Sequence, residues 1–379
     1  MKKFTFSGIL RKKTVIIPVV LIVALVIIAY VSISREKNRV FEKYEIKSSI
    51  AIDGTIPTEY MKFANGMVGY SSDGISYYSE GREIFNKAIS IVSPIISVSD
   101  SYVVISEKKS SEINLIDKQG NLSKITSTYP IVGLDVSNKG VVAAILDDGT
   151  ANYIEFYDKS GARLVSGRTV LEGDGYPIDI SISDDSTRLV SSYLAITEGT
   201  AQSKVVFYNY TSVGENEVDR IVGGFNQYKD TIVPEVRFIN NNTVAAIGDN
   251  MFSIYSIKQK PKLVHEETFE DKIQSVFFSS KYIGIVFTSN DSSYSQVLKV
   301  YNTDGKVEFS KILDFKYNDI AFVGENIVMY DESVCRMYSF TGKERFNYTF
   351  DKKINALIPL EDDVFMIAGD TAIEEIKLK

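Results

Sequence analysis

The chain has 379 residues but only one Cys, one His and no Trp. A single Cys cannot close an internal disulfide, so a disulfide-stapled secreted domain is excluded. One Cys with one His is too few for a Cys/His zinc site. A Ser-His-Asp triad would have to use His265, and a Cys-His pair could only join Cys335 to His265. Gly (24) and Pro (8) are too scarce for a collagenous or low-complexity chain. Basic excess is missing too. The net charge is −7, whereas nucleic-acid binding calls for a positive field, so no nucleic-acid partner is expected. No Walker A, GxGxxG, GxSxG or HExxH string occurs, and neither a cofactor nor a catalytic or metal site is expected.

Long charge-free runs are also absent, with one exception. Residues 14–34, TVIIPVVLIVALVIIAYVSIS, carry no charge over 21 positions, close to the roughly 20 apolar residues that a bilayer-spanning helix needs. Pro18 falls in the first turn, where a missing N–H costs little. Tyr30 falls near the far interface, where amphipathic rings settle. The run is longer than a signal-peptide core and Ala29-Tyr30-Val31 is a poor cleavage site, so an uncleaved signal anchor is expected. The tail before it holds Lys2, Lys3, Arg11, Lys12 and Lys13 and no acid. Beyond it Arg35, Lys37, Arg39 and Lys43 are diluted by Glu36 and Glu42. Without the five tail cations the remainder stands at −12. This asymmetry predicts a cell-membrane protein whose basic tail (1–13) is cytoplasmic, whose anchor is 14–34, and whose linker (35–43) leads to an extracytoplasmic domain at 44–379.

Tyr (23) and Phe (21) are plentiful, which favours strands. The remainder repeats one pattern: an alternating apolar strand, a short Ser/Asn/Asp turn and a second apolar strand. Copies begin at Met61, Ile96, Leu134, Ile180, Val236, Val276, Ile320 and Ala356. A third strand follows with the form apolar-x-apolar-Tyr, then Asp, Asn or Ser, then often Gly. Examples are IEFYDKSG from Ile154 and LKVYNTDG from Leu298. The Gly fits a tight turn that requires positive φ. A fourth run closes most units. At roughly 42 residues per unit the expectation is an all-β, eight-bladed β-propeller, with seven blades as the alternative. The last unit has three strands, and residues 44–52, YEIKSSIAI, are left over near the start. They are expected to supply the missing outer strand and so close the ring.

The blade rhythm resembles the broad propeller class that includes WD40 and quinoprotein-dehydrogenase-like domains, although their Trp-containing motifs are absent and only one Gly-Gly pair, Gly223-Gly224, occurs. Basic tail, single anchor and a degenerate Tyr-Asp-x-x-Gly propeller together resemble an uncharacterised family of membrane-anchored propeller proteins of Gram-positive bacteria. The resemblance implies a fold and an address, with no activity attached.

His265, in KLVHEETF, reads as a half-buried residue of an outer strand, and Cys335 as a small residue of a third strand with nothing basic nearby to lower its pKa. Asp147-Asp148-Gly149, Asp184-Asp185 and Asn302 to Gly305 lack EF-hand spacing and read as turn chemistry, with calcium a minor alternative. Loop length is uneven. Residues 170–177, 194–204, 224–234 and 288–296 read as long loops on one face, and Asp174, Tyr176, Tyr228 and Tyr294 are the contact residues they offer. The expected function is a non-catalytic binding or scaffold module, held in the lipid bilayer by residues 14–34, for a cell-envelope protein or polymer. The alternative is a propeller enzyme, a quinoprotein-like oxidoreductase or a carbohydrate-active lyase or hydrolase, with carboxylates such as Asp174 in acid-base roles.

Overall fold

The second and third strands of each repeat are apolar on both faces, while the first and fourth alternate. In the third repeat, Val142–Asp147 is buried at nearly every position, whereas Arg163–Thr169 alternates between exposed and half-buried. Such a pattern demands that the two middle strands be covered on both sides. The structure, a computed structural model that describes residues 39–170, 172–197, 199–288, 296–379 and Ile22, meets the demand with eight four-stranded antiparallel sheets arranged as blades. Blades 1 to 7 span residues 59–88, 94–126, 131–169, 176–228, 235–268, 272–313 and 319–349, and blade 8 spans 356–378. In blades 1 to 7 the four strands lie side by side in chain order; the range given for blade 8 holds three, and its fourth comes from elsewhere in the chain. First strands of adjacent blades touch around the axis, and blade 8 returns to blade 1. Among the described residues one apolar cluster fills each of the eight interfaces between blades.

The ring closes as the sequence predicts. Tyr44–Ala51 pairs antiparallel with Ala372–Leu378, Tyr44 opposite Leu378 and Ala51 opposite Ala372, and so becomes the outermost strand of blade 8. The linker differs from expectation. Residues 39–43 belong to the ring rather than to a free tether. Phe41 is 2% exposed and packs with Phe346 and Phe350 in the interface between blades 7 and 8. The backbone N–H of Phe41 donates to the Arg345 carbonyl at 2.7 Å, and that of Glu42 to the Lys379 carbonyl at 2.9 Å. Arg345, itself 2% exposed, sets its guanidinium 5.2 Å from the Phe41 ring centroid. Its Nε donates to the Arg39 carbonyl at 2.9 Å and its Nη1 to Asn326 Oδ1 at 3.0 Å. Of the expected span, 14–34, only Ile22 is among the described residues. Among those residues no helix is long and apolar enough to cross a membrane.

The Tyr-Asp-x-x-Gly signature has a structural cause. In six blades the register slips at the motif tyrosine, Tyr78, Tyr157, Tyr208, Tyr255, Tyr301 or Tyr338, where it meets the fourth strand. A bulge there bends the sheet's outer edge and turns the buried ring inward. The next residue caps the turn. Asp158 Oδ1 accepts from Ser160 N at 2.8 Å and Ala162 N at 3.0 Å, and Asn302 Oδ1 accepts from Asp304 N at 2.9 Å and Lys306 N at 3.0 Å. Gly161 (φ 86) and Gly305 (φ 81) then take the left-handed position. Turns between first and second strands and between third and fourth strands share one side of the ring, the turn face. Second-to-third loops and connections between blades share the other, the loop face.

Candidate functional site

Blade 4 departs from the common plan. Residues 194–204, expected to be a loop, are instead a continued hairpin. Arg188–Thr197 and Thr200–Asn209 stay paired to the end, with Ile196 opposite Ala201 and Thr197 opposite Thr200. The apolar run of Leu194, Ala195 and Ile196 extends the strand beyond the rim of the ring, and Ile196 is 75% exposed near the tip.

Below this hairpin, a cleft of about 330 Å³ separates the outer parts of blades 3 and 4. Blade 3 contributes Ile154, Val165, Gly167 and Arg168. A Cβ on Gly167 would approach nothing but the Ile154 carbonyl oxygen, at 3.9 Å, so this glycine keeps the cleft open. Blade 4 contributes Lys204, Val206 and Tyr208, alternate residues on one face of a single strand, with Tyr210 just past its end and Tyr193 from the neighbouring strand. The hydroxyls of Tyr193 and Tyr208 are 2.6 Å apart. Burial pushes the Tyr193 phenol up to about 12 and raises Tyr208 and Tyr210 as well, so all three remain neutral hydroxyls at physiological pH. Gly173 and Asp174 close the loop-face end, where Lys204 Nζ donates to the Gly173 carbonyl at 2.8 Å. Asp219 (φ 52) and Arg220 (φ 62) close the turn-face end. Two consecutive non-glycine residues in the left-handed region store strain there, a feature that tends to accompany functional sites. The lining carries Arg168, Lys204 and Arg220 against Asp174 and Asp219, a local cationic excess on a ring that is acidic as a whole.

The four residues nominated from sequence fare differently. Asp174 lines the cleft, exposed, its Oδ2 accepting from Val170 N at 3.0 Å. Tyr176, half-buried two residues on, turns its hydroxyl toward Asp147 Oδ2 at 3.3 Å. Tyr228 is a correction. It is fully buried at the end of the fourth strand, its hydroxyl bonded to that of Tyr255 in blade 5, so it offers no surface to a partner. Tyr294 lies outside the described residues.

The central channel holds a second cavity of about 530 Å³. Asp135, Asp179, Asp184, Glu235 and Arg237 line it on blades 3 to 5. Its carboxylates link blades. Asp135 accepts from Ser97 Oγ of blade 2 at 2.6 Å and from Ile182 N of blade 4 at 2.8 Å. Asp179 accepts from Val236 N of blade 5 at 2.8 Å, and Ser181 Oγ from Phe238 N at 3.1 Å. Burial raises Asp135 and Glu235, and it pushes Asp179 up to about 7, with the charges of Asp135 and Glu235 acting in the same direction. Among the described residues no three His, Cys, Asp or Glu side chains gather so as to hold a metal. The turn acids considered for calcium cap their own turns, Asp148 Oδ1 accepting from Thr150 N at 2.8 Å and Asp185 Oδ1 from Thr187 N at 3.1 Å. His265 lies half-buried on the fourth strand of blade 5, with Nε2 3.6 Å from Glu267. Cys335 is buried in the third strand of blade 7, and burial pushes its thiol up.

Several solved structures share this architecture. The chain is similar to BamB from Moraxella catarrhalis, at 13% identity and a TM-score of 0.57, over 88% of this chain and 100% of that one. It is similar to Sqt1 from Chaetomium thermophilum, at 12% identity and a TM-score of 0.54, over 89% and 100%. Another Sqt1 structure, bound to the N-terminus of the ribosomal protein L10, matches at 12% identity and a TM-score of 0.52, over 90% and 97%. At such identities the likeness is one of fold. No curated protein matches the sequence. Residues 37–378 match a family described as "Family of unknown function (DUF5711)".

Proposed function

The chain belongs to that family of unknown function, and from this premise we propose that it is a membrane-anchored, extracytoplasmic binding module that holds a segment of a cell-envelope protein or polymer in the cleft between blades 3 and 4. The observation that carries the reading is the cleft itself: an aromatic wall of three neutral tyrosines with Arg168, Lys204 and Arg220 around it, beside a hairpin whose two strands are longer than their counterparts in the other blades. Apolar walls with a few fixed polar groups suit the capture of a ligand segment, and the cationic excess suits one bearing acidic groups. Sqt1, a propeller of similar fold, is bound to the N-terminus of another protein; a short segment held on the ring is the mode of binding proposed here. Support for the address is the charge-free run at 14–34 behind a basic tail.

A photo-crosslinking residue at Arg168, in the full-length protein in its own cells, tests the reading. A discrete adduct from Arg168 is expected, and none from Glu308, an exposed residue of blade 6. Identical adducts from both positions, or none from either, would discard the cleft.

A second reading, a propeller enzyme, draws on Asp179. A carboxyl titrating near 7 beside Glu235, facing a cavity, is suited to proton transfer. Its test is loss of hydrolase or lyase activity on envelope glycans in Asp179→Asn with binding retained.

A further inference from the structure

The clamp on residues 39–43 fixes how the ring stands. Arg345 is the second residue of the fourth strand of blade 7, next to the third-to-fourth turn, and Asn326 closes the first-to-second turn of the same blade. Both turns lie on the turn face, so the chain joins the ring there, with Arg39 held by its carbonyl to Arg345 Nε and Phe41 buried beneath. The expected span ends at residue 34. Only residues 35–38 then separate it from the clamp, so residues 34 and 39 can lie at most about 18 Å apart, five steps at roughly 3.3–3.6 Å per residue. The blade strands run six or seven residues in most places, which at roughly 3.3 Å each makes the ring about 20 Å tall. A tether shorter than the ring's height cannot carry the chain past the ring and let it rest on its opposite face.

We infer that the propeller stands with its turn face against the bilayer at blades 7 and 8 and its loop face directed away. The inference rests on the anchor reading above and adds an orientation to it. The surface that meets lipid headgroups then includes a cavity of about 660 Å³ whose charged lining is mixed, Lys62, Lys281 and Arg345 with Glu325, Glu361 and Asp362. The projecting hairpin of blade 4 lies across the ring from blade 8 and on the loop face, which turns it away from the lipid. Its partner is a component beyond the membrane, not the bilayer.

Blade 1 offers matched probe positions, Asn65 in a turn-face turn and Ser72 in a loop-face loop, both exposed. Asn65→Cys, Ser72→Cys and Ile196→Cys in the full-length chain each receive a bimane label, while native Cys335 stays buried. The proteins are reconstituted into phosphatidylcholine vesicles carrying a nitroxide on the lipid headgroup, and flotation is measured alongside fluorescence. Quenching is expected to be several-fold stronger at Asn65 than at Ser72 or Ile196. Equal or reversed quenching in protein that floats with the vesicles overturns the orientation while leaving the anchor in place. Protein that does not float overturns the anchor reading and the orientation with it.

Discussion

The hydroxyls of Tyr193 and Tyr208, 2.6 Å apart, form a hydrogen bond between two buried phenols in the wall of the cleft between blades 3 and 4. A buried hydroxyl that loses its partner costs about 1–3 kcal/mol. Tyr193→Phe and Tyr208→Phe are therefore each expected to destabilise by about 1–2 kcal/mol in urea unfolding. The double variant is expected to lose less than the sum, because it leaves no orphan. Strictly additive losses would show that the two hydroxyls do not depend on each other.

Ring closure gives the second prediction. Phe41→Ala leaves a cavity between blades 7 and 8, and large-to-small changes of this type cost about 3–5 kcal/mol. A chain lacking residues 1–52 loses the closing strand entirely and exposes the edge of Ala372–Leu378. It is expected to aggregate or to melt without cooperativity by circular dichroism. A soluble, cooperatively folding truncated chain would mean that the seam needs no seal.

Asp179 predicts a pH dependence. Its folded pKa, about 7, lies above its ordinary value of 3.8. The protonated form thus favours folding. That contribution is complete below about pH 4 and is lost as pH rises through about 7. Asp179→Asn keeps an acceptor for Val236 N and removes the titration. The variant is expected to be more stable than the parent at pH 8, by about 1 kcal/mol or more, with a flatter stability profile between pH 5 and 8. Parallel profiles for the two proteins would place the titration elsewhere.

Cys335 is buried at the interface between blades 7 and 8, and its thiol is pushed up by that burial. Thiolate is the reactive form. Modification by a disulfide reagent in native buffer is expected at the rate of unfolding and no faster, rising as urea is added. Prompt modification of the native protein would show that blade 7 opens locally.

Much of the ring was legible in the sequence because its repeat is written in period-two alternation and in turn residues. Gly161 and Gly305 announce left-handed turns, and Asp158 and Asn302 announce their caps. The leftover strand at Tyr44–Ala51 could be assigned because the last repeat was one strand short. Phe41 is not legible as core because a lone aromatic among Arg39, Glu42 and Lys43 reads as linker; only the pocket formed by Phe346 and Phe350, far along the chain, gives it a place. Residues 194–204 read as a loop because Gly199 and the polar residues around it outweigh the short apolar run from Leu194 to Ile196. Tyr228 reads as a surface contact because nothing local signals that Tyr255 of the next blade covers it. The cleft could be glimpsed only through Asp174. Its walls come from different blades, and the stripe of Lys204, Val206, Tyr208 and Tyr210 looks in sequence like any half-buried strand.

Blade 8 is built from strands at opposite ends of the ring's sequence. As the chain leaves the ribosome, Tyr44–Ala51 emerges early and must wait for Ala372–Leu378. Until that late segment arrives, seven blades can form but none of them can be locked into a circle. A premature stop codon that removes those few residues would therefore leave a nearly full-length product with an open seam, and quality-control proteases would meet a frayed arc instead of a finished wheel.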